Sequence, residues 1–110
     1  MATLSVERIT YTGLAAAYSA AAGGGDKVPS GDRNFLHFKN GDASPTTVTI
    51  STPGTVDGIA IDDPQVIVAA TGEAFFGPLP RGTFGDSADS NLVSISYSSV
   101  TSLTVAAVQL

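Results

Sequence analysis

The sequence predicts an all-β fold: a single antiparallel β-sandwich or barrel of about seven or eight short strands, with an Ala/Gly-rich arm or loop near the N-terminus. Three observations predict it. Apolar and polar residues alternate with a period of two in one segment after another, the mark of a half-buried strand. Charged residues make up 14% of the chain, against about 25% in an average globular domain. Thr and Ser replace them, and with Val they favour a pleated surface over a helix, where branched side chains lose freedom. Turn residues punctuate these segments closely, and no helix-length segment separates the strands, which excludes a parallel α/β arrangement.

Taken in order, Ser5–Thr10 forms a first strand. Leu14–Ala22 admits two readings. Alanine favours a helix, Leu14 and Tyr18 would share one face of it, and Gly23, Gly24 and Gly25 would stop it. Yet so short a helix is marginal in water, and an extended arm is the reading adopted. Phe35–Lys39 places Leu36 and Phe38 opposite Phe35, His37 and Lys39. In Thr46–Thr52, Val48 and Ile50 oppose Thr47, Thr49 and Ser51. Ile59–Ile61 is a minor strand, and Gln65–Ala69 and Ala74–Phe76 are short and more uniformly apolar. In Leu92–Tyr97, Val93, Ile95 and Tyr97 share a face; in Leu103–Val108, Leu103, Val105 and Ala107 alternate with Thr104 and Ala106. Turns fall at Asn40-Gly41-Asp42, Pro53-Gly54, Asp63-Pro64, Thr71-Gly72-Glu73 and Ser98–Ser102. All 110 residues then form one domain, with 1–34 as strand plus arm and 35–110 as the sandwich.

Composition excludes several function classes. The formal net charge is -5, and Arg8, Lys27, Arg33, Lys39 and Arg81 are scattered singly, whereas nucleic-acid binding needs clustered cations to displace counterions. There is no cysteine, hence no disulfide framework and no thiolate zinc site. Glu7 and Arg8 interrupt any signal-peptide pattern, and Leu14–Gly25 is too short and too weakly apolar to span a bilayer. The expectation is synthesis in a cytoplasm, with no nucleic-acid and no membrane partner.

Chemistry-bearing constellations are sparse. His37, on a strand between Phe35 and Phe38, would need an orienting carboxylate and a nucleophile to act as a catalytic base. No Gly-x-Ser-x-Gly elbow supplies one, so a surface or interface imidazole is expected. Asp57, Asp62 and Asp63, and separately Asp86 and Asp89, lie in loop-like strings. Glycosidase work needs two carboxyls across a cleft, and the twelve-residue calcium loop pattern is missing; solvated loop acids are expected. Gly23, Gly24 and Gly25 are followed by Asp26-Lys27-Val28-Pro29, which is no phosphate loop. Phe75 and Phe76 face opposite sides of a strand. One fills the core, while the other faces a partner or packs beneath Pro78–Pro80, and the residues do not choose between them. The reading is a protein that binds and does not catalyse, with no catalytic, cofactor or metal residues.

Three stretches carry a family resemblance. Phe35-Leu-His-Phe-Lys-Asn-Gly41 leads into Thr46-Thr-Val-Thr-Ile-Ser-Thr-Pro-Gly54. Val66-Ile-Val-Ala-Ala-Thr-Gly-Glu73 leads into Phe75-Phe-Gly-Pro-Leu-Pro80, and the chain closes with Val93-Ser-Ile-Ser-Tyr-Ser-Ser-Val-Thr101 and Leu103-Thr-Val-Ala-Ala-Val108. This succession resembles small β-sandwich virion structural proteins of tailed bacteriophages, over Phe35 to the end plus the opening strand. The resemblance implies a head decoration or cement protein. Such a protein sits on the outer surface of the mature capsid, often as a homo-oligomeric trimer, and clamps the major capsid protein. Within virions it also admits a head–tail connector or tail protein, and it transfers no catalytic residue. Outside virions, a carbohydrate-binding or adhesion module is the alternative, poorly served by five Phe, three Tyr and no Trp. On the virion reading, the N-terminal strand and arm would pair with the edge of a neighbouring sheet.

Overall fold

The structure, a computed structural model, describes residues 2–110. Its strands are β1 (Ala2–Thr3), β2 (Val6–Arg8), β3 (Ser19–Ala20), β4 (Asp26–Pro29), β5 (Asn34–Asn40) and β6 (Thr46–Ile50). They continue as β7 (Thr55–Val56), β8 (Ile59–Ala60), β9 (Gln65–Val68), β10 (Glu73–Phe76), β11 (Leu92–Tyr97) and β12 (Leu103–Gln109). A single helical turn, α1 (Arg81–Phe84), and a 3₁₀ turn (Ser87–Asp89) join β10 to β11. One sheet has the order β1-β4-β11-β6-β9 and the other β10-β5-β12-β2, with β3 also paired to β12. The expected β-sandwich is therefore present.

The chain crosses from one sheet to the other between β4 and β5, β5 and β6, β9 and β10, β10 and β11, and β11 and β12. Only β6 and β9, consecutive among the longer strands, stay together. Sequence neighbours therefore face each other across the core. The alternating positions supply it: Leu36 and Phe38 on β5, Val48 and Ile50 on β6, Val93 and Ile95 on β11, and Leu103 and Val105 on β12 are all buried. Full burial of one such side chain stabilises by about 1.5–3 kcal/mol. The β5–β12 pairing, seven residues from Leu103↔Asn40 to Gln109↔Asn34, is the spine of the second sheet. Asn40 ties off its end: the side-chain amide donates to Ser44 O at 2.9 Å and its Oδ1 accepts from Asp42 N at 3.0 Å.

Four sequence expectations are corrected. Leu14–Ala22 is neither helix nor free arm. Leu14–Tyr18 has no regular structure, Ser19 and Ala20 pair with Val105 and Thr104, and Ala21 N donates to Leu103 O at 2.9 Å. The open edge of β12 offers backbone groups that a free arm would leave to water. Secondly, β4 lies inside the span expected as arm, and it pairs with β11 from Leu92↔Pro29 to Ile95↔Asp26. The division at residue 34 thus cuts through sandwich. Thirdly, the strand expected at Ser5–Thr10 is the shorter β2, and a further short strand, β1, precedes it. β1 runs parallel to β4 in one sheet, β2 runs parallel to β12 in the other, and Leu4 between them is buried; the pairing is mixed at these edges. Fourthly, Ala106 is buried although it alternates with the core residues; Ala17 and Ser19 of the N-terminal segment lie beside it.

Candidate functional site

The outer face of the second sheet gathers the side chains of most chemical interest. The registers Glu73↔Lys39, Phe75↔His37 and His37↔Ala106 set Glu73, Phe75, Phe35, His37, Lys39, Ala106 and Val108 on that face. Phe75 stacks on the His37 ring at 4.1 Å and 6°. Tyr18, arriving with the N-terminal segment, places its hydroxyl 2.6 Å from His37 Nδ1. The Lys39 ammonium lies 4.0 Å above the centre of the Tyr18 ring, a cation–π contact. Glu73 Oε1 is 2.8 Å from Nε2, yet out of line with the ring N–H, so Nε2 has no aligned partner. His37 retains 8% exposure. It lies on the outer face, as its strand position implied, but covered. The cover is anchored a second time by Ala17 N, which donates to Glu7 Oε1 at 2.7 Å. The segment between Glu7 and Tyr18 is thus a strap, fixed at both ends, over Ala106.

Beyond the strap the face turns apolar and open. Phe75 is 66% and Leu110 65% exposed. Two hollows of about 550 Å³ and 530 Å³ meet at Leu110: the first is bordered by Asp32, Arg33, Phe35, Phe75 and Pro78, the second by Arg8, Ile9 and Tyr11. Gly77 lies against Phe35 so closely that a Cβ there would collide with the Phe35 side chain; only glycine lets the backbone pass. Phe76 points the other way, packs on the core and meets Phe84 edge-on at 5.7 Å. The open choice between the two phenylalanines is thereby resolved: Phe75 is the exposed one.

The remaining candidates do not converge. Asp63 accepts from the Thr52 hydroxyl at 2.6 Å and the Thr52 amide at 2.9 Å. These two hydrogen bonds, the hydroxyl's first, hold its carboxyl below the usual aspartate value. Asp57 sits in the β7–β8 turn with φ of 52°, and Asp62 is exposed. Asp86 caps the 3₁₀ turn through Ala88 N at 3.0 Å, while Asp89 pairs with Lys27. Gly23 and Gly24 form a turn leading to β4. Among the described residues no three His, Asp or Glu are grouped to hold a metal ion.

One feature escaped the sequence reading: Asp26 is fully buried and accepts from the Tyr97 hydroxyl at 2.7 Å and from Ala22 N at 3.2 Å. Burial first, then the hydrogen bond to Asp26 and its charge, raise the Tyr97 hydroxyl well above the ordinary tyrosine value. A lone Asp after a glycine run carries no sequence signal of burial. What the geometry offers is therefore a surface for contact: a strapped polar cluster beside an exposed apolar belt. Compared with family models, curated proteins and solved structures, the chain matches none.

Proposed function

We propose that this protein is a structural component of a tailed-phage virion, of the decoration or cement type, binding the major capsid protein on the outer surface of the mature head. The strand-and-turn resemblance over Phe35 to the end supports it. The observation that carries it furthest is the exposed apolar belt of Phe75, Leu110, Ile9 and Tyr11, since contiguous apolar surface on a small domain marks a docking site. The net charge of -5 is repelled by packaged DNA, which favours the outside of a shell over its interior. The N-terminal strands are paired within their own chain, so attachment runs through this face rather than through a donated strand. On this reading the protein is not an enzyme, and its trimeric state on the particle follows the symmetry of the shell.

The test is stoichiometric. Mature shells lacking the protein are incubated with it, sedimented, and the bound copies counted. Saturation near the number of capsid subunits is the expected result, weakened at least tenfold by Phe75→Ser. A ring's worth of copies would assign the protein to the connector or tail, and no binding would overturn the virion reading.

A further inference from the structure

The β7–β8 hairpin stands apart from the sandwich. Its two strands pair only with each other among the described residues, and Thr52 ties its base through Ile61 O at 2.7 Å and Asp63. Asp57, Gly58, Ile59 and Ala60 are all exposed, Ile59 to 71%. Between Ser51 and Pro64 the chain carries Asp57, Asp62 and Asp63 and no basic residue. The hairpin is thus an acidic projection with an isoleucine at its tip. A bare isoleucine held on a two-stranded ribbon gains nothing for the fold, because it touches no core.

The apolar belt has the complementary character. Arg33 borders one hollow and Arg8 the other. Both are exposed, and among the described residues neither has a carboxylate within ion-pairing distance. Lys27 and Lys39 differ: the first pairs with Asp89 and the second covers the Tyr18 ring. Asp32 is the acidic side chain in the belt, and Arg8 and Arg33 are its two cations.

We infer that the β7–β8 hairpin of one copy docks in the arginine-flanked apolar belt of a second copy, Ile59 entering beside Phe75 and Leu110 while Asp57 and Asp62 approach Arg33 and Arg8. The apolar contact supplies most of the affinity, since exposed ion pairs are individually weak. The charges set the orientation and the rate of encounter. Hairpin and belt are different surfaces, so two copies close the contact by exchanging hairpins and larger sets close it as a ring. The belt is used in turn, holding a second copy's hairpin in the free protein and the capsid protein on the shell; the self-association does not depend on the virion reading, and it is measured without shells.

Sedimentation velocity on the full chain, up to about 1 mM, tests it. Wild type is expected to move above its 11.1 kDa monomer as concentration rises, and less so in high salt. Arg8→Glu with Arg33→Glu, and separately Asp57→Lys with Asp62→Lys, should each remain monomeric, and mixing the two charge-reversed proteins should restore association. Ile59→Ser leaves the turn residues in place and should weaken association at least tenfold, which keeps the test decisive if lysine at Asp57 loosens the hairpin. A monomeric wild type, self-association of either charge-reversed protein alone at wild-type strength, or a mixture that stays monomeric overturns the inference.

Discussion

Tyr97 and Asp26 bring a hydroxyl and a carboxylate together inside an otherwise apolar core, and Asp26 Oδ1 has no partner there. A buried acceptor that loses its donor bears the full cost of its desolvation. Tyr97→Phe is therefore expected to destabilise the fold by about 1–3 kcal/mol, read from urea unfolding. Asp26→Asn keeps an acceptor for the Tyr97 hydroxyl and Ala22 N while removing the charge, so it should cost less than Tyr97→Phe; the reverse order would show that the carboxylate charge is needed. Asp63 makes a pH-dependent contribution of the opposite setting, at the surface. Thr52 lowers its folded value below the ordinary 3.8. The stability it supplies is accordingly present above that ordinary value and lost as pH falls through the folded one. Comparing wild type with Asp63→Asn, the wild-type advantage should be largest at neutral pH and shrink as the pH drops below about 4. A difference that stays constant down to strong acid would show that the Thr52 contacts do not favour the ionised form.

Whole strands were legible where one face meets the core and the other meets water. Thr46–Ile50 and Leu92–Tyr97 alternate because that is their environment. The β4 strand was not legible: Val28 is its one large apolar residue, Pro29 reads as a breaker, and Asp26 is a charge in a fully buried place. The outward residues of β12 misled in the other direction. Ala106 and Val108 are buried, and the strap beside Ala106 has a sequence that signals neither strand nor cover. For the candidate site, the strand position of His37 was readable, but Tyr18 and Glu73 reach it from distant segments that only the sheet order brings near. The strap makes a graded prediction. Amides of β4 should exchange as slowly as those of β11, amides of Thr10–Thr12 quickly, and Ala17–Ala21 in between, by hydrogen-exchange mass spectrometry. Tyr18→Phe should speed exchange at Ala17–Ala21 and leave β11 unchanged; equal rates in both proteins would mean that the backbone pairing of β3 alone holds the strap.

At the scale of the whole molecule, the first residues join the two sheets. β1 adds to the first sheet beside β4, β2 to the second beside β12, and Leu4 between them is 7% exposed within the core cluster. A domain of this size is stable by only about 5–15 kcal/mol, and a Leu→Ala change in a core costs about 2–5 kcal/mol. Leu4→Ala is therefore expected to lower stability by at least about 2 kcal/mol although it lies near the end of the chain, where substitutions are ordinarily tolerated. Removing residues 1–9 goes further, because it uncovers the uncharged Ala107–Gln109 edge of β12, while Thr104 and Val105 stay paired with β3. Such an edge is a template for pairing with other chains. The truncated protein should thus melt earlier and scatter light on heating, while Leu4→Ala melts earlier without scattering, since its edge stays covered. If both variants scatter alike, exposure of core rather than of the strand edge governs aggregation; if neither loses stability, the N-terminal segment is an attachment and not the joint between the sheets.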